Sequence, residues 1–189
     1  FLFNTLNSLS ALITARRGED ANDMLLKLST FLRFALERDD MSLTTLREEL
    51  MAIELYLDIE KVRFSDRLEL ILQIAPEAYR CNVPSLLLQP LVENAVKYAI
   101  SKSETGGVIQ IAASTNGSAL NISVEDSGAD SGAMEDRESS SSAAAGIGLG
   151  LQNIRERLET VFGSLAYCRS TTSPLGGMRI EVCIPAEEP

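Results

Sequence analysis

Residues 129–145, ADSGAMEDRESSSSAAA, limit what this chain can build. Small, hydroxylated and acidic residues dominate, and Met134 is the only large apolar side chain. Such a stretch cannot bury enough surface to offset the entropy of ordering it. It therefore predicts either a linker between two domains or a mobile lid on one. The chain that follows, Gly146 to Pro189, is too short for a comfortable second core. The segments on either side must share one core, with 129–145 as its lid.

Apolar periodicity supplies the elements of that core. From Phe1 to Arg17, the residues Leu2, Leu6, Leu9 and Ile13 keep helical spacing, and Gly18, Glu19 and Asp20 break the run. A second helix carries Met24, Leu25, Leu28, Phe31, Leu32, Ala35 and Leu36 on its apolar side. The short break predicts an antiparallel hairpin. Two helices cannot bury both stripes alone, which predicts pairing with a second copy into a four-helix bundle. The competing arrangement lays the hairpin on its own domain.

Thr45 and Glu48 have capping-box spacing at the head of a third helix, which carries Leu46, Leu50, Ile53 and Leu57 and runs to about Phe64. Leu68 to Ile74 alternates as a strand does, closed by Pro76. Val108–Ser114 and Leu120–Glu125 read as strands joined by Asn116-Gly117, a strong hairpin signal. A helix from Gln152 to Phe162 and strands at 164–170 and 177–184, around a Pro174–Gly177 turn, complete the chain. The predicted class is α+β: a helical hairpin arm, residues 1–42, and a sandwich over 43–189 with a mixed sheet and helices on one face.

Three motifs carry possible chemistry. In VPSLLLQPLVENAVKYAI, Val83 to Ile100, a helix started or kinked by Pro90 sets Asn94, Lys97 and Ser101 at i, i+3 and i+7, with Glu93 beside them. Leu91, Val92, Ala95, Val96 and Ala99 face the other way. An amide oxygen suits Mg²⁺ and an ammonium suits phosphate, although an ordinary amphipathic helix would show the same stripe. Asp126-Ser127-Gly128 ends the second hairpin strand. Its carboxylate can accept from an exocyclic amine, and its glycine lets a flat ring approach the backbone. The same triplet also suits any polar strand end. Gly146-Ile-Gly-Leu-Gly-Leu151 precedes a helix, where backbone N–H groups and the dipole favour a phosphate. A plain helix entry is the simpler alternative. Neither a Walker lysine motif nor a Rossmann context is present.

Composition narrows the partners. The net charge of −10 repels nucleic acid and anionic membrane as a whole-molecule field, while leaving room for a local nucleotide pocket. Cys81, Cys168 and Cys183 are widely spaced and there is no histidine, so neither a zinc site nor a disulfide framework is expected. A reducing cytosol fits that pattern. No apolar run reaches the length of a membrane span. The chain opens on Phe1 rather than Met, which predicts a piece of a longer protein.

Taken in order, these motifs resemble the LytS-type sensor histidine kinases, whose ATP-binding part has the fold shared with gyrase, Hsp90 and MutL. The resemblance covers nearly the whole chain. FLFNTLNSL (1–9) is similar to the phosphoacceptor helix and YLDIEKVRF (56–64) to the segment before the ATP domain. VPSLLLQPLVENAVKY is similar to the N box, EDSG to the first glycine box and GIGLGLQNIRERL (146–158) to the second.

The resemblance implies that Asn94 coordinates the Mg²⁺ that bridges the phosphates of ATP. Glu93 would order a metal-bound water or polarise the nucleophile, and Lys97 would lie near the phosphates. Asp126 would accept from the adenine amine with Gly128 beneath the ring. Residues 129–145 would be the ATP lid, with Gly146, Gly148, Leu149, Gly150 and Leu151 at its phosphate-side hinge. The expected chemistry is in-line phosphoryl transfer to a histidine directly upstream of Phe1, then to an aspartate on a DNA-binding response regulator. A homodimer is expected, with no direct contact to nucleic acid. The setting implied is a cytoplasmic domain anchored to the membrane only through upstream segments.

Three departures stand out: no histidine is present, Asp130 replaces a second glycine, and Tyr98 stands where the family usually has histidine. They leave two alternatives, a non-catalytic dimerising, regulator-binding module and an ATPase of the same fold.

Overall fold

The computed structural model describes residues 1–36, 42–64, 67–101, 103, 105–128 and 143–187, with only the backbone described over 143–149. Most of the expected lid, 129–142, lies outside the described residues, and so does Asp130.

Helix α1 (Leu2–Thr14) and α2 (Gly18–Leu36) form the hairpin. The break falls earlier than the glycine suggests. Arg16 takes the left-handed conformation (φ 58°), and Arg17 N–H closes onto Leu12 C=O at 2.9 Å. That is a glycine-type helix stop made by an arginine. Gly18 instead opens α2, whose first turn holds Glu19 and Asp20 at the positive end of the dipole.

Helix α3 (Leu46–Phe64) starts on the predicted capping box: Glu48 N–H donates to Thr45 Oγ1 at 3.3 Å, and Thr45 N–H to Glu48 Oε2 at 3.2 Å. The hairpin packs on α3. Leu9, Leu12, Met24, Leu28 and Phe31 are buried there. Phe1, Phe31 and Tyr56 form an aromatic triad with centroids 5.0–5.9 Å apart. A second stripe stays outside, with Phe3 83% and Leu36 82% exposed beside Leu2, Leu6, Ile13, Leu25 and Leu26.

A five-stranded mixed sheet follows in the order β2-β4-β5-β7-β6. Its strands are β2 (Leu68–Ile74), β4 (Gly107–Thr115), β5 (Ala119–Asp126), β6 (Tyr167–Thr172) and β7 (Met178–Pro185). Only the β2–β4 pair is parallel. The β4–β5 turn is the expected Asn116-Gly117, with Gly117 at φ 83°. Strand β6 begins later than expected because Gly163–Leu165 closes a 3₁₀ turn.

Two short strands were not anticipated. Strands β1 (Leu43–Thr45) and β3 (Asn82–Pro84) pair antiparallel and tie the head of α3 to the approach to α4 (Leu88–Ala95).

Ile109, Ile111, Leu120, Ile122, Val124, Ile180, Val182 and Ile184 line one face of the sheet. Leu88, Leu91 and Val92 of α4 and Leu151, Ile154 and Leu158 of α5 (Ala143–Phe162) bury against the same core. Each such aliphatic side chain contributes about 1.5–3 kcal/mol. The opposite face alternates to Gln110, Ser114, Asn121, Arg179 and Glu181, as one-sided antiparallel sheets do. The architecture is the expected α+β sandwich with a helical arm.

One boundary is corrected. Gly146 to Leu151 is not a turn before a helix: α5 begins at Ala143, so Gly146, Gly148 and Gly150 lie inside it. Three alanines, the strongest helix formers, carry the helix back through glycines that each cost about 1 kcal/mol.

Candidate nucleotide site

The site is organised by the start of α4. Leu86, in the preceding turn, has φ 60°. Buried Glu49 of α3 takes the N–H of Leu86 at 2.7 Å and of Leu88 at 3.1 Å. Arg157 of α5 donates to the carbonyls of Ser85 (2.8 Å) and Leu86 (3.2 Å). Pro90 is the third residue of the helix, where its missing N–H would have no intrahelical partner in any case.

Beyond Ala95 the winding loosens into a π turn, Val96–Ile100, closed by Ser101 N–H to Val96 C=O at 2.9 Å. Such turns recur at functional sites.

This winding splits the predicted stripe. Glu93, Lys97 and Ser101 line one cleft of about 390 Å³ together with Phe1, the residue before α1, Asn4 of α1, and Tyr56, Glu60 and Arg63 of α3. Asn94 is set apart: its amide nitrogen lies 3.6 Å from where a Cβ on Gly150 would stand. Asn94 therefore meets the second glycine motif, while Glu93 and Lys97 meet the arm. A purely α-helical count put Asn94 and Lys97 on one line, and the looser turn favours a spacing of four.

Two of the cleft's side chains are held by residues outside its lining: Gln89 Nε2 donates to Glu93 Oε1 at 2.8 Å, and the Lys97 ammonium lies 4.8 Å from the Tyr98 ring centroid. Burial pushes the Tyr56 phenol well above its ordinary range, reinforced by the negative charges of Glu60 and Glu93. Burial also raises the Glu60 carboxyl, opposed by Arg63.

Asp126 stands at the end of β5. Its Oδ1 accepts from Gly128 N–H at 2.9 Å and Met178 N–H at 3.3 Å, which fixes the plane of the carboxylate. Gly128 is wedged between that oxygen and Ala99 of the π turn, each 3.0 Å from a Cβ placed there. The preceding Glu125 points to the other face, buried, accepting from Ser173 Oγ at 2.9 Å.

Sequence reasoning missed Gly177. A Cβ there would fall 1.9 Å from Asp126 Oδ1, and its N–H donates to Asp126 C=O at 3.1 Å. The doublet Gly176-Gly177 was the available signal. Gly176 meets the turn's need for positive φ (104°), so the second glycine required another reason.

Of the remaining expected residues, Leu151 is buried in the core rather than facing a ligand. Gly146, Gly148 and Leu149 are located by backbone alone, in the first turns of α5. Hence the unpaired N–H groups of the α5 N-terminus belong to the end at Ala143, not to Gly148 or Gly150.

Asp126 at a strand end, Gly128 against it and Asn94 facing Gly150 are thus set in one α/β sandwich. Residues 84–188 match the "Histidine kinase-, DNA gyrase B-, and HSP90-like ATPase" family, and the chain belongs to it. Residues 1–68 match the "Histidine kinase" family.

The chain is 35% identical over 185 residues to the sensor histidine kinase YesM of Bacillus subtilis, covering 98% of this chain and 31% of that protein. It is 33% identical to the sensor histidine kinase YpdA of Escherichia coli (89% and 30%). With the sensor protein LytS of Staphylococcus haemolyticus the identity is 32% (93% and 30%). The chain thus spans under a third of each of these relatives. The LytS resemblance carried by the motifs agrees with these matches.

Among solved structures, the catalytic domain of histidine kinase ThkA is similar with a TM-score of 0.58 at 19% identity, over 77% of this chain and 95% of that one. The Acinetobacter baumannii histidine kinase AdeS gives 0.55 at 12% identity, over 99% and 95%. At those identities the likeness concerns the fold.

Proposed function

We propose that this chain is the ATP-binding and phosphotransfer portion of a two-component sensor histidine kinase. The arm, residues 1–42, carries the phosphoacceptor segment and residues 43–189 hold the nucleotide. The observation that carries the reading is that Asp126 lies against Gly128 and Asn94 against Gly150, while Phe1 shares a cleft with Glu93 and Lys97.

Asp126 accepts from the adenine amine, its carboxylate already held in plane. Gly128 floors the ring. Lys97 neutralises phosphate charge, and Glu93 polarises the nucleophile. The second glycine motif lies on the phosphate side.

The residues present fit Mg²⁺ held jointly with a nucleotide. Among the described residues no cluster of three acidic, histidine or cysteine side chains could hold a metal alone, and the Asn94 amide oxygen suits a cation that keeps phosphate oxygens as ligands. The ion's charge would stabilise the transferring phosphoryl group.

The acceptor is a histidine directly before Phe1, and the phosphoryl group passes on to an aspartate of a response regulator that binds DNA. The exposed stripe of Phe3, Leu6, Ile13, Leu25 and Leu36 suits pairing with a second copy. Among the described residues no helix is long and apolar enough to cross a membrane, so anchoring would come from other segments of the intact protein.

The test is calorimetric titration with ATP, with and without Mg²⁺, on this chain and on Asn94→Ala. Binding that needs Mg²⁺ and is lost in the variant supports the reading. No binding to the parent chain overturns it.

A further inference from the structure

Arg63 lines the cleft, and the chemistry proposed above gives it no part. It shares that space with Glu93 and Lys97, the residues assigned to the nucleophile and to the phosphates. A phosphate chain that reaches Lys97 therefore enters a cleft that Arg63 also lines. Among the described residues of the lining, Arg63 and Lys97 are the cations.

Two supports hold the guanidinium without using its donors. Its central carbon lies 4.6 Å from the centroid of the Phe64 ring, and Phe64 is buried. Its Nη1 stands 3.6 Å from Glu60 Oε2, an ion pair longer than a hydrogen bond. A ring face and a carboxylate at that distance fix the charge but take up no N–H. Arginines that brace this fold spend theirs differently: Arg157 on the carbonyls of Ser85 and Leu86, Arg155 on that of Cys168. Helix geometry alone would bring two residues three apart side by side. Burial divides this pair unequally, with the Glu60 side chain 5% exposed and that of Arg63 41%. The carboxylate is kept inside and the cation is turned outward.

We propose that Arg63 binds the terminal phosphate of ATP, its planar fork of N–H groups taking the γ-phosphate oxygens beside the Lys97 ammonium. This inference rests on the kinase reading above and adds to it a residue of α3, outside the three nucleotide motifs. Glu60 is the anchor that keeps the guanidinium in place. ADP lacks the group that Arg63 holds, so this residue separates triphosphate from diphosphate.

The test is calorimetric titration of this chain with ATP and with ADP, both with Mg²⁺, beside Arg63→Gln, Arg63→Lys and the double variant Glu60→Gln/Arg63→Gln. Arg63→Gln is expected to bind ATP about tenfold or more weakly, with ADP affinity within about twofold of the parent's. Arg63→Lys keeps a charge without the fork and should fall between the two. Removing Arg63 alone strands a buried carboxylate, which threatens folding for a reason unrelated to ATP. The double variant removes both charges together and should show the same selective loss, and its ADP binding reports that the site is folded.

A parental ratio of ATP to ADP affinity in Arg63→Gln and in the double variant overturns the proposal. So does an equal loss for both nucleotides in the double variant, which would mark Arg63 as a support of the fold. Either result leaves the kinase reading standing. A parent chain that binds neither nucleotide overturns the kinase reading and this inference with it.

Discussion

Glu49 on α3 holds Leu86 in the left-handed conformation by accepting its N–H at 2.7 Å, and the same carboxylate caps α4 through Leu88. Strain of this kind persists only where neighbours over-determine it. Glu49→Ala should therefore cost about 2–4 kcal/mol, because it strands two buried N–H groups at a helix start and releases a strained turn. Urea unfolding followed by circular dichroism reads the loss. ATP affinity should fall with it, since the same turn sets the direction of Asn94.

Asp126→Asn is expected to weaken ATP by about 1–3 kcal/mol, roughly ten- to a hundredfold. The amide can still accept from Gly128 and Met178 through its oxygen, so the unfolding midpoint should stay near that of the parent. An unchanged dissociation constant in calorimetry would remove Asp126 from the adenine site.

Two glycines make a paired experiment. Gly177→Ala places a methyl group 1.9 Å from Asp126 Oδ1 and should destabilise by about 1–3 kcal/mol while abolishing nucleotide binding. Gly117→Ala meets open space and only the strain of φ 83°. It should cost about 1 kcal/mol and leave ATP affinity alone. Equal effects on ATP in the two variants would deny Gly177 its special place.

Buried Glu60 makes the stability of this chain depend on pH. Its folded-state pKa is raised by burial, so the folded chain binds that proton more tightly than the unfolded chain does. The penalty is fully present above the folded pKa. It fades as pH falls towards the ordinary carboxylate range. Glu60→Gln should thus be the more stable protein at pH 7, by about 1 kcal/mol or more, and the gain should shrink with acidification. Denaturant midpoints at neutral and acidic pH check the sign.

In the proposed homodimer, Phe3→Asp should separate the two copies without unfolding the protomer, because Phe3 is 83% exposed and outside the core. Sedimentation velocity is the measurement. A variant that sediments like the parent would remove α1 from the pairing surface.

Much of this was legible beforehand. The capping box at Thr45–Glu48, the Asn116-Gly117 hairpin and the alternation in β4, β5 and β7 act locally, so the sequence states them directly. What escaped depends on distant partners. Glu49 and Glu60 fall on the apolar stripe of α3, at helical spacing with Leu46, Ile53 and Leu57, and only the burial of that face shows that both are interior. The stop of α1 was misplaced because Gly18 is the usual signal and Arg16 does the work two residues earlier. Strands β1 and β3, three residues each, are too short to express a period. The division between Asn94 and Lys97 came from a π turn that no residue type announces.

That turn has a further consequence. A single-residue deletion within Val96–Ile100 would let the segment relax to ordinary helix and rotate all that follows by about 100°. Ile100 would leave its place against Gly107, and Ala99 would no longer back Gly128. Spacing here is under the same constraint as chemistry. The segment should accept many substitutions, yet almost no change in the number of residues between Glu93 and Gly107.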